Sequence, residues 1–408
     1  MTQDYINFFL TFGYFPKQAE QTIEFNDYEL NYSEYSLDEL GKKASDLFVD
    51  NIEKLYNPNE LHLIPLSGGL DSRAILAGLL KFTEAKNIYA FSYGTKGTLD
   101  YEIGRLVAQE LGINHISFEL QNYKYTLDDL LYHSNSVKQQ TLLFHNPPTK
   151  QIDTLFKDFI VWSGILGDVV GGSAVPMTYS ESFQEAKLKY LNKKTYLKKH
   201  IVTNTKAFEK LLIMQEPENK SLISYDEKVI YIERFEKFYK PVIECGENKF
   251  LEPFINSEFT DLMFNAPLEY RKSSVLYYEM LKNLDYEIFS LPIKNKLGLG
   301  LFASNGQYFA RRVKEKILRE FKITKLGLGI NYQDFNIKYS TQTGFKKLID
   351  EQLVDLTKRD LVNSLNIEQV HKEFNSTNKN SELIKTLVSL EVHLKNGKKL
   401  PSTMEELC

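Results

Sequence analysis

The chain has 408 residues, 42% of them hydrophobic and 25% charged, the balance of an ordinary globular protein with room for one large core or two modest ones. A formal net charge of -4 argues against a nucleic-acid binder held by phosphate contacts, so no nucleic-acid partner is expected. The two cysteines, Cys245 and Cys408, have neither zinc-site nor redox spacing, which makes a reducing compartment, the cytoplasm, the default location.

The start, Met1-Thr2-Gln3-Asp4-Tyr5, lacks the basic region of a signal peptide, and Phe8–Phe15 is too short to cross a bilayer, so no membrane span is expected. Residues 1–30 are rich in aromatics and show no clear period. Ser36-Leu37-Asp38-Glu39 then reads as a capping box, and Leu37, Leu40, Ala44, Leu47, Phe48, Ile52 and Leu55 follow at helical spacing until Asn57-Pro58. Leu61–Leu66 predicts a buried strand with Pro65 at its last paired position, because proline cannot donate to a sheet ladder.

A helix from Asp71 to about Leu80 comes next, then a strand at Ile88–Tyr93 and a helix at Leu99–Leu111 closed by Gly112. A strand at His115–Leu120, a helix over about Thr126–Val137 and a strand at Phe159–Trp162 complete the alternating part. Alternation of this kind predicts a parallel α/β sheet with right-handed crossovers. Ligands of such sheets sit beyond the carboxyl ends of the strands, here Ser67–Ser72, Ser92–Gly94 and Ser163–Asp168. After about residue 180 the pattern becomes helical and charged, at 183–200, 205–214, 226–241 and a last amphipathic helix at about 382–395. The basic clusters Lys193-Lys194 and Lys198-Lys199-His200 have the spacing of a solvated helix face. The repeat of Lys296-Leu297-Gly298-Leu299-Gly300 at Lys325–Gly329 is short enough to be coincidence. The expected organisation is a segment 1–35, an α/β core 36–180 and a mainly helical part 181–408.

The chemistry concentrates in Ser67-Gly68-Gly69-Leu70-Asp71-Ser72, between a strand and a helix. Two glycines are expected to take positive φ and turn several N–H groups toward one point. With the hydroxyls of Ser67 and Ser72 and the start of the next helix they would form an anion pocket suited to a phosphate chain. Asp71 inside that pocket would repel phosphate unless a cation stands between them, which implies magnesium.

The same loop is the signature of the ATP pyrophosphatase (PP-loop) superfamily. Pro65-Leu66-Ser67-Gly68-Gly69-Leu70-Asp71-Ser72-Arg73 resembles the synthetase domain of the asparagine synthetase family, to which beta-lactam synthetases and lasso-peptide cyclases also belong. Phe91-Ser92-Tyr93-Gly94, the stretch Gly104–Gly112 with His115, Pro253-Phe254-Ile255 and Lys296-Leu297-Gly298 are similar to that family's later elements. Trp162-Ser163-Gly164-Ile165-Leu166-Gly167-Asp168-Val169-Val170-Gly171-Gly172 resembles its Ser-Gly-x-Gly-x-Asp segment. The resemblance covers most of residues 55–400 and implies an adenine nucleotide alpha hydrolase-like sheet with flanking helices and a mostly helical C-terminal half.

It further implies that ATP and Mg2+ are cofactors, with Asp71 and Asp168 as metal ligands. Ser67, Gly68, Gly69, Leu70, Asp71 and Ser72 would hold pyrophosphate, Ser163 and Gly164 would touch adenine or ribose, and Tyr93 would approach the base. A late lysine that steadies phosphate and developing charge would be Lys296, or Lys294 beside it.

Three departures from the family pattern fall away from the ATP side. The family's glutaminase domain carries a cysteine at position 2; here Thr2 stands there and Ser67 follows too soon for that domain, although residues 8–24 resemble its end. Nitrogen would then come from free ammonia, from ammonia supplied by a separate glutaminase or biosynthetic partner, or from an amine substrate. Position 165, Glu or Tyr in relatives, is Ile165, and Lys249-Phe250-Leu251-Glu252 replaces a Glu-x-Arg pattern, leaving Glu252 as a candidate acceptor-side carboxylate. The expected activity is an AMP-forming amide ligase that adenylates a carboxylate and transfers the acyl group to ammonia or an amine. The alternatives are another PP-loop adenylating enzyme acting on tRNA or nucleoside, and a nucleotide-binding subunit without catalysis.

Overall fold

The computed structural model describes residues 2–16, 32–138, 141–193, 205–214, 216, 223–320, 332–403 and 406. The second copy of the Lys-Leu-Gly-Leu-Gly repeat and the basic cluster at 198–200 lie outside these residues. Five strands form one parallel sheet: β1 Leu61–Pro65, β2 Ile88–Gly94, β3 Asn114–Glu119, β4 Phe159–Trp162 and β5 Lys249–Leu251, in the order β3-β2-β1-β4-β5. Four of them match the expected strands. β5 is new, because three residues are too short to show a period of two.

Pro65 pairs with Phe91 as the last register pair of β1, after which the Leu66 N–H donates to the Phe91 carbonyl at 2.8 Å. Both sheet faces are covered, so the side chains of one strand alternate between two cores. Leu63 and Phe91 pack with Phe118, Phe156 and Val161 on one face, while Ile64, Ile88 and Ala90 join the main core with Phe48, Ile75 and Trp162 on the other. The chain runs outward from β1 through β2 to β3, then returns to place β4 on the other side of β1. That reversal opens a crevice above the carboxyl ends of β1 and β4.

The helix Leu37–Leu55 begins at the expected capping box, Ser36 and Glu39 bonding reciprocally. Thr126 and Asp129 form a second box at the start of Leu127–Ser136. The C-terminal half is mainly helical, and its core is built around Ser381–Lys395, of which Leu383 to His393 are all buried. The aromatic-rich start is ordered as a helix, Thr2–Phe12, packed into that same core. Phe9 stacks on Phe15 at 4.3 Å, and Tyr5, Ile6, Phe8, Phe9, Leu10 and Phe12 are all buried. A helix covered on nearly every side has no polar face, which explains the missing period.

The expected helix at 226–241 is more irregular than its pattern. Tyr225–Val229 passes into a π-helical stretch, Ile230–Tyr239, and then Lys240–Ile243. Pro241 lacks an N–H and would crowd the carbonyl four residues back, and the wide turn ends against it, with the Lys240 N–H donating to Phe235 five residues earlier. No helix among the described residues is long and apolar enough to cross a membrane.

Candidate functional site

The glycine loop joins β1 to the helix Asp71–Leu79. Leu70 stands at that helix's N-cap without a side-chain cap, so the first helical N–H groups are not closed by one. Neither Gly68 nor Gly69 has positive φ, a correction to the expectation. Close packing is what favours glycine here. A β-carbon at Gly68 would lie 3.1 Å from Lys294 Cβ and 3.3 Å from the Leu99 carbonyl oxygen, and one at Gly69 would lie 3.2 Å from Ser67 Oγ. The serines brace the turn from inside. The Gly69 N–H donates to Ser67 Oγ at 3.1 Å, and the Ser67 N–H to Ser72 Oγ at 3.4 Å. Leu70 points into the main core rather than outward.

Asp71 and Asp168 face one another from the loops after β1 and β4. The β4 loop is pressed onto Asp71: a β-carbon at Gly167 would lie 2.5 Å from Asp71 Cγ, and one at Gly164 3.2 Å from the Ser72 nitrogen. Desolvation, and then the charge of Asp168, hold the Asp71 carboxyl well above the usual carboxylate range; the Tyr277 hydroxyl, which donates to Asp71 Oδ1 at 2.7 Å, pulls it back down. Asp168 is also raised, by desolvation, against a hydrogen bond from Ser173 Oγ at 3.3 Å. Its residue nevertheless keeps an exposed face. A carboxylate raised by burial and by a neighbouring carboxylate is relieved by a cation beside it. No group of three or more His, Cys, Asp or Glu side chains suited to a metal occurs among the described residues. Two carboxylates suit magnesium, which leaves most of its positions to phosphate oxygens and water.

A turn carrying both candidate lysines closes on the loop from the other side. The Lys294 N–H donates to the Gly68 carbonyl at 2.8 Å, and the Lys294 ammonium pairs with Asp100 at 2.5 Å. The Lys296 ammonium lies 5.3 Å above the Tyr308 ring and has no carboxylate within ion-pair distance among the described residues. Arg73, fully buried, fixes this turn. Its guanidinium donates to the carbonyls of Ile288 at 3.3 Å, Leu291 at 3.2 Å and Pro292 at 2.7 Å. The sequence pattern contains Arg73 but gives no hint of that role, since its partners are backbone carbonyls more than two hundred residues away.

Other expected contacts land differently. Tyr93 stacks on Tyr332 at 5.4 Å and 15°. Ile165 is 2% exposed and belongs to the main core, so this side chain does not line the crevice. Where the Ser-Gly-x-Gly-x-Asp pattern has its second glycine the chain has Leu166, held at φ 68°. Ser163 is buried at the end of β4, its N–H donating to the Leu251 carbonyl at 2.8 Å. Glu252, just after β5, is ion-paired with Lys240. Glu244, which sequence reasoning missed, reaches the same lysine at 3.2 Å. Beyond Asp168 opens a cavity of about 470 Å3, bounded by Ser173, Met177, Lys189, Arg234 and Tyr239.

No curated protein matches the chain. Residues 63–140, which take in the end of β1, the glycine loop with Asp71, and Tyr93 but stop short of Asp168, match the family described as asparagine synthase, as expected of an asparagine synthetase family synthetase domain.

Proposed function

We propose that this protein is an ATP-dependent, AMP-forming ligase that activates a carboxylate as its adenylate and transfers the acyl group to ammonia or an amine. The observation that carries this reading is the Asp71–Asp168 pair, in which the Asp168 charge acts on Asp71, beside a helix start without a side-chain cap and a closely packed glycine loop. In this reading Ser67–Ser72 cradle the departing pyrophosphate, Asp71 and Asp168 hold its magnesium, and Ser163, Gly164 and Tyr93 border the nucleoside. Magnesium there would neutralise charge on the phosphates as they separate. Lys296, whose ammonium meets no carboxylate among the described residues, is the better placed of the two lysines to meet phosphate; Lys294 is held by Asp100. Residues 36–180 then supply most of the nucleotide side, and the mainly helical 181–408 completes the site with Lys294, Lys296 and the carboxylate cluster of Glu252.

The test is pyrophosphate exchange into ATP, measured with magnesium against a panel of amino acids, keto acids and dicarboxylates. Exchange that depends on one carboxylate is the expected result. Binding of ATP with no exchange for any carboxylate would leave only a nucleotide-binding role.

A further inference from the structure

On that ligase reading, we propose that Glu244, not Glu252, takes the proton of the acceptor amine. Glu244 ends the helix Lys240–Ile243, and its side chain is 10% exposed. Its Oε1 is buried with no hydrogen-bond partner among the described residues, although Lys240 lies 3.2 Å from Oε2. A buried acceptor without a donor is unfavourable, and an incoming N–H would satisfy it. Glu252 takes the closer pairing with Lys240. The groups facing Glu244 are Lys240 from its own helix, Glu252 from the end of β5 and Ser163 from the end of β4. Burial and then the Glu252 charge hold the Glu244 carboxyl up at about 7, against the pull of Lys240 and Ser163. That value suits a base working at neutral pH. Ser163, which acts on Glu244, adjoins Gly164, and Gly164 packs on the backbone of Ser72 in the nucleotide loop.

The amine nitrogen attacks the carbonyl carbon of the acyl-adenylate and the C–N bond forms. The C–O bond to the phosphate of AMP breaks and AMP leaves with the electron pair. The surplus N–H proton passes to Glu244 Oε1. Glu252 acts as a positioning residue, since its charge sets where Glu244 titrates.

The experiment compares ammonia with hydroxylamine as acceptors in the full chain, using whichever carboxylate supports exchange. Either nitrogen enters neutral and sheds one proton as the amide forms; the less basic hydroxylamine nitrogen sheds it readily to water and needs a base far less than ammonia does. Glu244→Gln is expected to keep pyrophosphate exchange and hydroxamate formation while ammonia-dependent amide formation falls about 10²-fold or more. Glu252→Gln removes the charge that raises Glu244, so the pH profile of the ammonia reaction should move to lower pH. Glu244→Asp, which keeps a carboxyl, should recover part of the rate, and it replaces the glutamine variant if that one fails to fold. Equal loss with both acceptors, or no loss with ammonia while exchange is intact, overturns the role of Glu244 and leaves the ligase reading standing. Absence of exchange in the unmodified protein overturns both.

Discussion

The backbone N–H of Lys294 donates to the carbonyl of Gly68 at 2.8 Å, joining the glycine loop to a turn more than two hundred residues later in the chain. Because the bond is made by main chain, the side chains at 294 and 296 can be changed without releasing it. Lys296→Met is expected to slow adenylate formation about 10²–10³-fold, the range seen when one preorganised donor to developing charge is removed. Lys294→Met, which frees Asp100 instead, should cost far less. Single-turnover AMP formation separates the two, and a larger loss at 294 would reverse the assignment.

Arg73 makes a strong stability prediction. Its three carbonyl partners at Ile288, Leu291 and Pro292 are charge-assisted, and no water replaces the guanidinium at a fully buried position. Arg73→Leu strands those carbonyls at a cost of at least about 3 kcal/mol. It should also loosen the lysine turn against Gly68. Urea unfolding at fixed slope checks the first effect, and weaker ATP binding at a temperature where the variant is folded checks the second. A change in stability below about 1 kcal/mol would mean that the carbonyls find other donors.

Asp71→Asn is expected to abolish AMP formation and keep the fold. The amide can still accept from Tyr277, but it carries no charge for magnesium. Circular dichroism and thermal unfolding should match the unmodified protein within about 1 kcal/mol. Near-normal turnover would remove Asp71 from the metal site.

The parts legible in the sequence are those written in local pattern. The capping box at Ser36, the strand β1 with its terminal Pro65, and the loop Ser67–Ser72 follow from residue types a few positions apart. What escaped was set by distant partners. Gly68 owes its identity to Lys294 Cβ, Gly167 to Asp71, and Gly172 to the Arg271 carbonyl oxygen, 2.0 Å from where a β-carbon would be. The left-handed conformations of Leu166, Ser273 and Ser274 likewise run against single-residue preference. Glu244 carries no motif at all, and only the convergence of Lys240, Glu252 after β5 and Ser163 after β4 on its carboxyl picks it out.

The linkage between metal and acidity at Asp71 gives the last expectation. In the metal-free fold, desolvation and Asp168 raise the Asp71 carboxyl above its value in the unfolded chain, so the folded state binds the proton more tightly. Stability from this group is therefore present at acid pH and is lost as pH rises through the raised value. Magnesium with pyrophosphate favours the ionised pair, so its stabilising effect should grow over that same window. At about a hundred times its Kd such a ligand adds about 2.7 kcal/mol. Tyr277→Phe removes the hydrogen bond that lowers Asp71, so the onset of magnesium-dependent stabilisation should move to higher pH. Thermal unfolding with and without magnesium pyrophosphate, from mildly acidic to mildly alkaline buffer, measures this directly. Asp71→Asn serves as the control for the titration of pyrophosphate itself. A magnesium effect with the same pH dependence in Asp71→Asn as in the unmodified protein would place the metal elsewhere.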